Sequence, residues 1–234
     1  VVALLRERVQ AKRGWCPHVP YPAQRAFLNC EAREVLYGGA AGGGKSDAIL
    51  MAALKYADVP NYSALILRRD FQRLALPGAI MDRSKEWLSN TRARWNEQYR
   101  RWTFPSGATL QFGYVDSPDD RFRYASAEFQ FIGFDELTEF RLAEDESNPY
   151  TFLFSRLRRT QGLNVPLRFR AASNPGNIGH AWVKRRFITT ESATAVERGI
   201  TGVFPAADGR YFVPAAIRDN PAINADEYEA NLGH

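Results

Sequence analysis

Apolar positions in this chain fall into short blocks broken by glycine, proline and charge, and the blocks alternate between two kinds. Glu34–Tyr37, Ser63–Leu67, Phe129–Phe134 and Leu167–Ala172 are brief, nearly continuous apolar runs, the signature of strands buried on both faces. Between them lie longer segments with helical spacing: Gln24–Cys30, Lys45–Tyr56, Ile80–Trp95 and Tyr150–Arg158. Trp102–Phe104 and Ala108–Tyr114 read as a hairpin joined at Pro105–Gly107. Residues 1–13 read as a short amphipathic helix, and Trp15–Pro22 as a Pro-rich approach. Alternating strands and helices predict an α/β fold, a mostly parallel central sheet with helices on both faces and the hairpin as an antiparallel addition. The pattern weakens beyond about Phe187. The expected division is one domain over 1–188, with 189–234 as a linker or small subdomain.

Composition changes this picture little. The chain has 234 residues, 45% of them apolar and 24% charged, which fits a folded globular chain. No apolar run approaches membrane-spanning length, and no leader pattern is visible at the start. Two cysteines, Cys16 and Cys30, make neither a disulfide framework nor a metal quartet, so a reduced setting is the default expectation. The net charge of +5 carries more information, because arginine dominates the 31 basic residues. Arginine grips phosphate with a planar fork. A polyanionic partner and a merely solvated basic surface both fit.

The chemistry is concentrated in a few stretches. Gly39-Ala-Ala-Gly42-Gly43-Gly44-Lys45-Ser46 fits the phosphate-loop pattern G-x-x-x-x-G-K-[ST], with a strand before it and a helix after it. Glycines let successive N–H groups turn inward toward phosphate oxygens, and the helix start adds its positive dipole end. Lys45 is placed to meet the β- and γ-phosphates, and Ser46 to hold Mg²⁺. Phe129–Phe134 then ends in Asp135-Glu136. An acid past a strand end can reach that cation, and its neighbour can take a proton from an attacking water. Ser173-Asn174-Pro175-Gly176 follows the next strand, where a small polar group can sense the γ-phosphate or the lytic water. Gln24 lies upstream in Tyr21-Pro-Ala-Gln24, and its amide has the donor and acceptor to read adenine. Without a guanine-reading Asn-Lys-x-Asp, and with a water-activating Glu, the set points to an ATPase that moves something.

Tyr37-Gly-Gly-Ala-Ala-Gly-Gly-Gly-Lys-Ser46, Phe131-Ile-Gly-Phe-Asp-Glu136-Leu-Thr and Ser173-Asn-Pro-Gly176 together resemble the N-terminal ATPase domain of the large terminase subunit of tailed bacteriophages. The resemblance covers about residues 20–190. It implies a P-loop NTPase of the RecA-like/ASCE type that hydrolyses ATP with Mg²⁺ to drive double-stranded DNA into a procapsid. It implies a homo-oligomeric ring on the portal protein, a small terminase subunit as partner, and work in the host cytoplasm. By the same resemblance Ser46 and Asp135 hold Mg²⁺, Glu136 activates water, Gln24 contacts adenine, and Ser173 and Asn174 couple hydrolysis to movement. Two departures stand out. Many terminases carry an Arg inside the phosphate loop, and here the loop has only Gly and Ala. The residues after Phe187 are too few for the family's nuclease, so DNA cutting is not expected of this stretch. The transition-state arginine is therefore expected from a neighbouring subunit. Arg123 is the first candidate and Arg121 the second, unless they pair with Asp119 and Asp120 on the surface. Arg100, Arg101, Lys184, Arg185 and Arg186 are the expected DNA phosphate contacts.

Overall fold

The computed structural model describes residues 14–221; the helix expected over 1–13 lies outside them. Nine strands form one sheet: β1 (Glu34–Gly39), β2 (Ser63–Arg68), β3 (Arg94–Asn96), β4 (Arg101–Thr103), β5 (Thr109–Tyr114), β6 (Phe131–Asp135), β7 (Arg168–Ser173), β8 (Phe204–Pro205) and β9 (Tyr211–Ala215). Their order is β3-β4-β5-β2-β6-β7-β1-β9-β8. From β5 across to β9 the strands run parallel. β3, β4 and β8 are antiparallel additions at the two edges, and β4–β5 is the expected hairpin.

The helices are α1 (Pro22–Asn29), α2 (Lys45–Leu54), α3 (Phe71–Ala75), α4 (Ile80–Leu88), α5 (Pro149–Phe154), α6 (His180–Phe187) and α7 (Thr190–Glu197). Strand side chains alternate between faces, and the core splits accordingly. Val35, Tyr37, Ile66 and Phe131 pack with α1, α2 and α4 on one face. Leu36, Leu65, Ile132, Phe134 and Phe169 pack with Tyr150, Leu153, Trp182 and Phe187 of α5 and α6 on the other. β6 is buried along its whole length, which explains its unbroken apolar sequence. α2 is buried nearly all round, so its sequence is Ala- and Leu-rich rather than striped. Among the described residues no helix is long and apolar enough to cross a membrane.

Three expectations need correction. The helix predicted over Ile80–Trp95 stops at Leu88; Trp95 sits in β3 opposite Trp102, their rings 5.2 Å apart. Trp95 falls seven residues after Leu88 and so mimics helical spacing. The helix predicted over Tyr150–Arg158 is α5, which ends at Phe154. The segment set apart as 189–234 contributes α7, β8 and β9, and β9 joins the central sheet beside β1. β9 carries Pro214, and its short mixed sequence gives almost no periodicity.

Two arginines brace the frame. Arg170 of β7 is almost fully buried and pairs with no acid among the described residues. It donates to the carbonyls of Cys30 (2.7 Å), Ala32 (3.0 Å) and Arg33 (3.3 Å), tying the α1–β1 connection to β7. Burial lowers its pKa to about 10. Arg186 of α6 makes a bidentate pair with buried Glu34 at 2.6 and 3.1 Å, and the Tyr150 hydroxyl donates to the same carboxylate at 3.0 Å.

Candidate active site

The carboxyl ends of β1, β7, β6 and β2 open side by side, the place where parallel α/β sheets hold ligands. The loop after β1 is built as a cradle. Gly39 has φ +140°, and a Cβ there would lie 2.3 Å from the Ala215 carbonyl oxygen. Gly44 takes a left-handed conformation as the N-cap of α2, with Gln24 packed where a side chain would go. Four of the loop carbonyls are held. Ala40 O accepts from Lys45 Nζ, Gly42 O from Asn220 Nδ2 (2.7 Å), Gly43 O from the Tyr37 hydroxyl (3.1 Å) and Gly44 O from Gln24 Nε2 (2.9 Å). The N–H groups of Ala41, Gly42, Gly43 and Gly44 donate to no described residue. A run of inward N–H groups at a helix N-terminus is an anion site. Lys45 is buried, and burial lowers its pKa against the pull of Glu136 and Asp135.

Opposite the loop stands the acid pair. Ser46 Oγ donates to Asp135 Oδ1 at 3.0 Å, joining α2 to the end of β6. Arg68, at the end of β2, lies 3.3 Å from Asp135 Oδ2. Burial pushes Asp135 up, opposed by Arg68, the Ser46 hydroxyl and Lys45. Glu136 has φ +55°, an unusual left-handed geometry for a non-glycine and a mark of strain at functional sites. Its carboxylate accepts from the Asn174 backbone N–H and from Asn174 Nδ2, both at 3.1 Å. Burial and the nearby Asp135 raise Glu136; the Asn174 N–H, Lys45 and Arg68 oppose them. Asn174 Oδ1 is buried and has no partner among the described residues. Ser173 turns away from the crevice: its hydroxyl accepts from the Thr138 N–H (3.0 Å) and bonds the Thr138 hydroxyl (2.7 Å).

The structure thus brings Gly39, Gly42, Gly43, Gly44, Lys45, Ser46, Asp135, Glu136, Ser173 and Asn174 together at one sheet end. It treats the other expected residues differently. Gln24 is fully buried, and its amide bridges the Tyr21 N–H (2.9 Å) and Gly44 O, so in this arrangement it braces the loop rather than facing a base. Arg121 is tied to the Pro118 carbonyl and Asp119 and lies over Phe122; Arg123 pairs with Asp120 at 2.7 Å and lies over Tyr114. Those are the surface pairs weighed against them. Of the proposed DNA contacts, Arg186 is committed to Glu34 and Arg185 to Glu144. Arg100 and Arg101 stack over Phe71 and Tyr99.

Sequence reasoning missed Arg68, Glu139, Thr138, Tyr37 and Asn220. Arg68 sits in Leu65-Ile-Leu-Arg68-Arg69, where an arginine after an apolar strand carries no motif. Its signal is topological, since β2 lies directly beside β6.

The donor set also fits a magnesium nucleotide. Mg²⁺ keeps several waters and takes one or two carboxylates plus substrate phosphates. Ser46 and Asp135 supply oxygen ligands only, and the described residues hold no group of three His, Cys, Asp or Glu that would make an all-protein cage.

The cradle, the acid pair one strand removed from it and the intervening β7 define a P-loop NTPase fold of the ASCE type. Within that class the chain has the fold of phage large-terminase ATPase domains. No protein-family model matches the sequence, and neither does any curated protein. Solved structures do match. A large terminase from a thermophilic bacteriophage aligns at TM-score 0.60 and 12% identity over 92% of this chain. The large-terminase ATPase domain of Thermus phage P74-26 aligns at TM-score 0.58 and 13% identity, covering 94% of this chain and 90% of its own. The N-terminal domain of the DNA packaging ATPase of bacteriophage phi29 aligns at TM-score 0.52 and 15% identity, covering 83% and 95%. This chain spans 50% of the first terminase.

Proposed function

We propose that this chain is the ATPase domain of a viral large terminase and hydrolyses ATP to drive double-stranded DNA into a procapsid. The observation that carries the reading is the Ser46–Asp135 contact at 3.0 Å, which sets the phosphate cradle against two acids with distinct partners. Support comes from the fold, and from the complexes of the similar thermophilic phage terminase with ADP and with ATP-γ-S.

In this reading the inward N–H groups and Lys45 bind the phosphates. Ser46 and Asp135 would hold Mg²⁺, which would supply charge neutralisation for the phosphates. Glu136 orients a water and takes its proton as that water's oxygen bonds the γ-phosphorus. The bond to the bridging oxygen breaks, leaving ADP and inorganic phosphate. Each Glu136 oxygen accepts one bond from Asn174, so a proton taken on either oxygen weakens one of those bonds and is felt at the end of β7. The partners are other copies in a ring, the portal protein and the small terminase subunit, in the host cytoplasm. Arg123, with Arg121 behind it, serves a neighbouring subunit. Mixing Arg123→Ala subunits with Glu136→Gln subunits should then restore turnover in assembled rings, and no rescue removes that assignment.

The primary test is phosphate release from ATP by the folded chain with Mg²⁺, beside calorimetric nucleotide binding. Slow turnover that rises on assembly is expected. Nucleotide binding indistinguishable between the wild type and Lys45→Ala would refute the reading.

A further inference from the structure

The loop lacks an arginine, yet one guanidinium already stands in the crevice. Arg68 Nη1 is 3.3 Å from Asp135 Oδ2, and Nη2 is 3.8 Å from Glu139 Oε2. Strong charge-assisted bonds run about 2.7–2.9 Å, so both contacts are loose. Arg68 Nε is buried and has no partner among the described residues. Buried polar groups are normally satisfied, and this side chain is only 13% exposed. Arg186 shows what a structural arginine looks like in the same protein, with a closed bidentate pair to Glu34. Arg68 instead sits among three acids, Asp135, Glu136 and Glu139, without closing on any.

We propose that Arg68 is the cis arginine of this site. It is parked on Asp135 and Glu139 when no nucleotide is bound, and it passes to the terminal phosphate when a magnesium triphosphate enters. The argument is a charge balance. A divalent cation beside Ser46 takes over Asp135, and the terminal phosphate brings new negative charge to the crevice that β2 borders. Arg68 loses its partner as a better one arrives, a phosphate whose oxygens accept from the planar guanidinium fork. Arg121 and Arg123 cannot do this within their own chain, because both are held on the turn Pro118–Tyr124, off the end of β5. Glu139 is already shared with Arg73 at 3.5 Å, so it can release Arg68 without being left bare.

This inference rests on the nucleotide reading above, and the experiment separates the two. Titrate the wild type, Arg68→Ala and Arg68→Lys with ADP and with ATP-γ-S, each with Mg²⁺, by calorimetry. Loss of a charge-assisted bond to the terminal phosphate should weaken ATP-γ-S by about tenfold or more in Arg68→Ala and leave ADP nearly unchanged. Turnover should fall by roughly 10²–10³, the usual effect of removing one transition-state donor. Arg68→Lys keeps charge but not the fork and should lie between. Equal weakening of both nucleotides would overturn the proposal and leave Arg68 as a brace for Asp135; no weakening of either would also overturn it. If Arg68→Ala melts early, the ATP-γ-S to ADP ratio of Arg68→Lys decides. A wild type that binds neither nucleotide sinks the nucleotide reading itself.

Discussion

The two sides of the crevice are built on opposite principles. On the loop side the carbonyls of Ala40, Gly42, Gly43 and Gly44 are each held, by Lys45, Asn220, Tyr37 and Gln24 in turn. These ties fix the backbone of the loop in one arrangement. On the acid side Glu136 is held in a left-handed conformation, Arg68 keeps only a long 3.3 Å bond to Asp135, and the buried Asn174 Oδ1 has no partner among the described residues. Preorganised dipoles cost no reorganisation when charge arrives, whereas strain and loose pairs mark a place with a second arrangement available. Under the proposed function the loop binds and the acid side changes state.

The sharpest way to break this contrast is to disable each side once. Lys45→Ala should abolish measurable nucleotide binding. Glu136→Gln should bind ATP as the wild type does and lose turnover by about 10²–10⁴, the usual reach of a general base. If calorimetry and phosphate release show the two variants behaving alike, the division of labour is wrong.

A smaller effect separates structural charge from working charge. Removing one partner of a buried ion pair costs about 3–5 kcal/mol. Arg186 is partly exposed, so Arg186→Ala should fall near the lower end, about 3 kcal/mol, in urea unfolding. The Arg186 variant should keep the wild-type ratio of ATP-γ-S to ADP affinity. Arg68→Ala breaks a longer contact, 3.3 Å to Asp135, and should cost less stability than Arg186→Ala. Reversed outcomes would make Arg68 the brace and Arg186 the functional group.

Local sequence patterns revealed the loop side far better than the acid side. The glycines, Lys45 and Ser46 are contiguous, so their chemistry is a local pattern, and the strand and helix around them follow from hydrophobic runs. Asp135 and Glu136 could be read for the same reason. Arg68 and Asn220 could not, because their roles exist only once β2 lies beside β6 and β9 beside β1. β9 was hidden twice over: it is short and carries Pro214, and its parallel partner in the sheet, β1, lies far upstream in sequence. Gln24 is read differently at the two levels: its position ahead of the loop suggests a base reader, and in the fold it is fully buried with its amide bonded to the Tyr21 N–H and the Gly44 carbonyl. Arg186 looked like one of a basic run on α6, and only the three-dimensional fold reveals Glu34 waiting for it.

The smallest effects test whether the loop's carbonyl ties matter individually. Tyr37→Phe deletes one hydroxyl and leaves the Gly43 carbonyl without its donor in a buried setting. Asn220→Ala removes the donor to the Gly42 carbonyl, but that site is only partly buried, so water can replace it. An unsatisfied buried acceptor costs about 1–3 kcal/mol, and a solvated one much less. If the ties hold the N–H groups inward, part of that cost should appear in binding. Tyr37→Phe should weaken ADP by roughly fivefold, taking about 1 kcal/mol of the penalty. Asn220→Ala should weaken it by no more than about twofold. Both should weaken ATP-γ-S by the same factor as ADP, because the loop meets the phosphates common to the two. A variant of either kind that changed the ratio between the nucleotides would mean that the loop, and not only the acid side, reads the terminal phosphate.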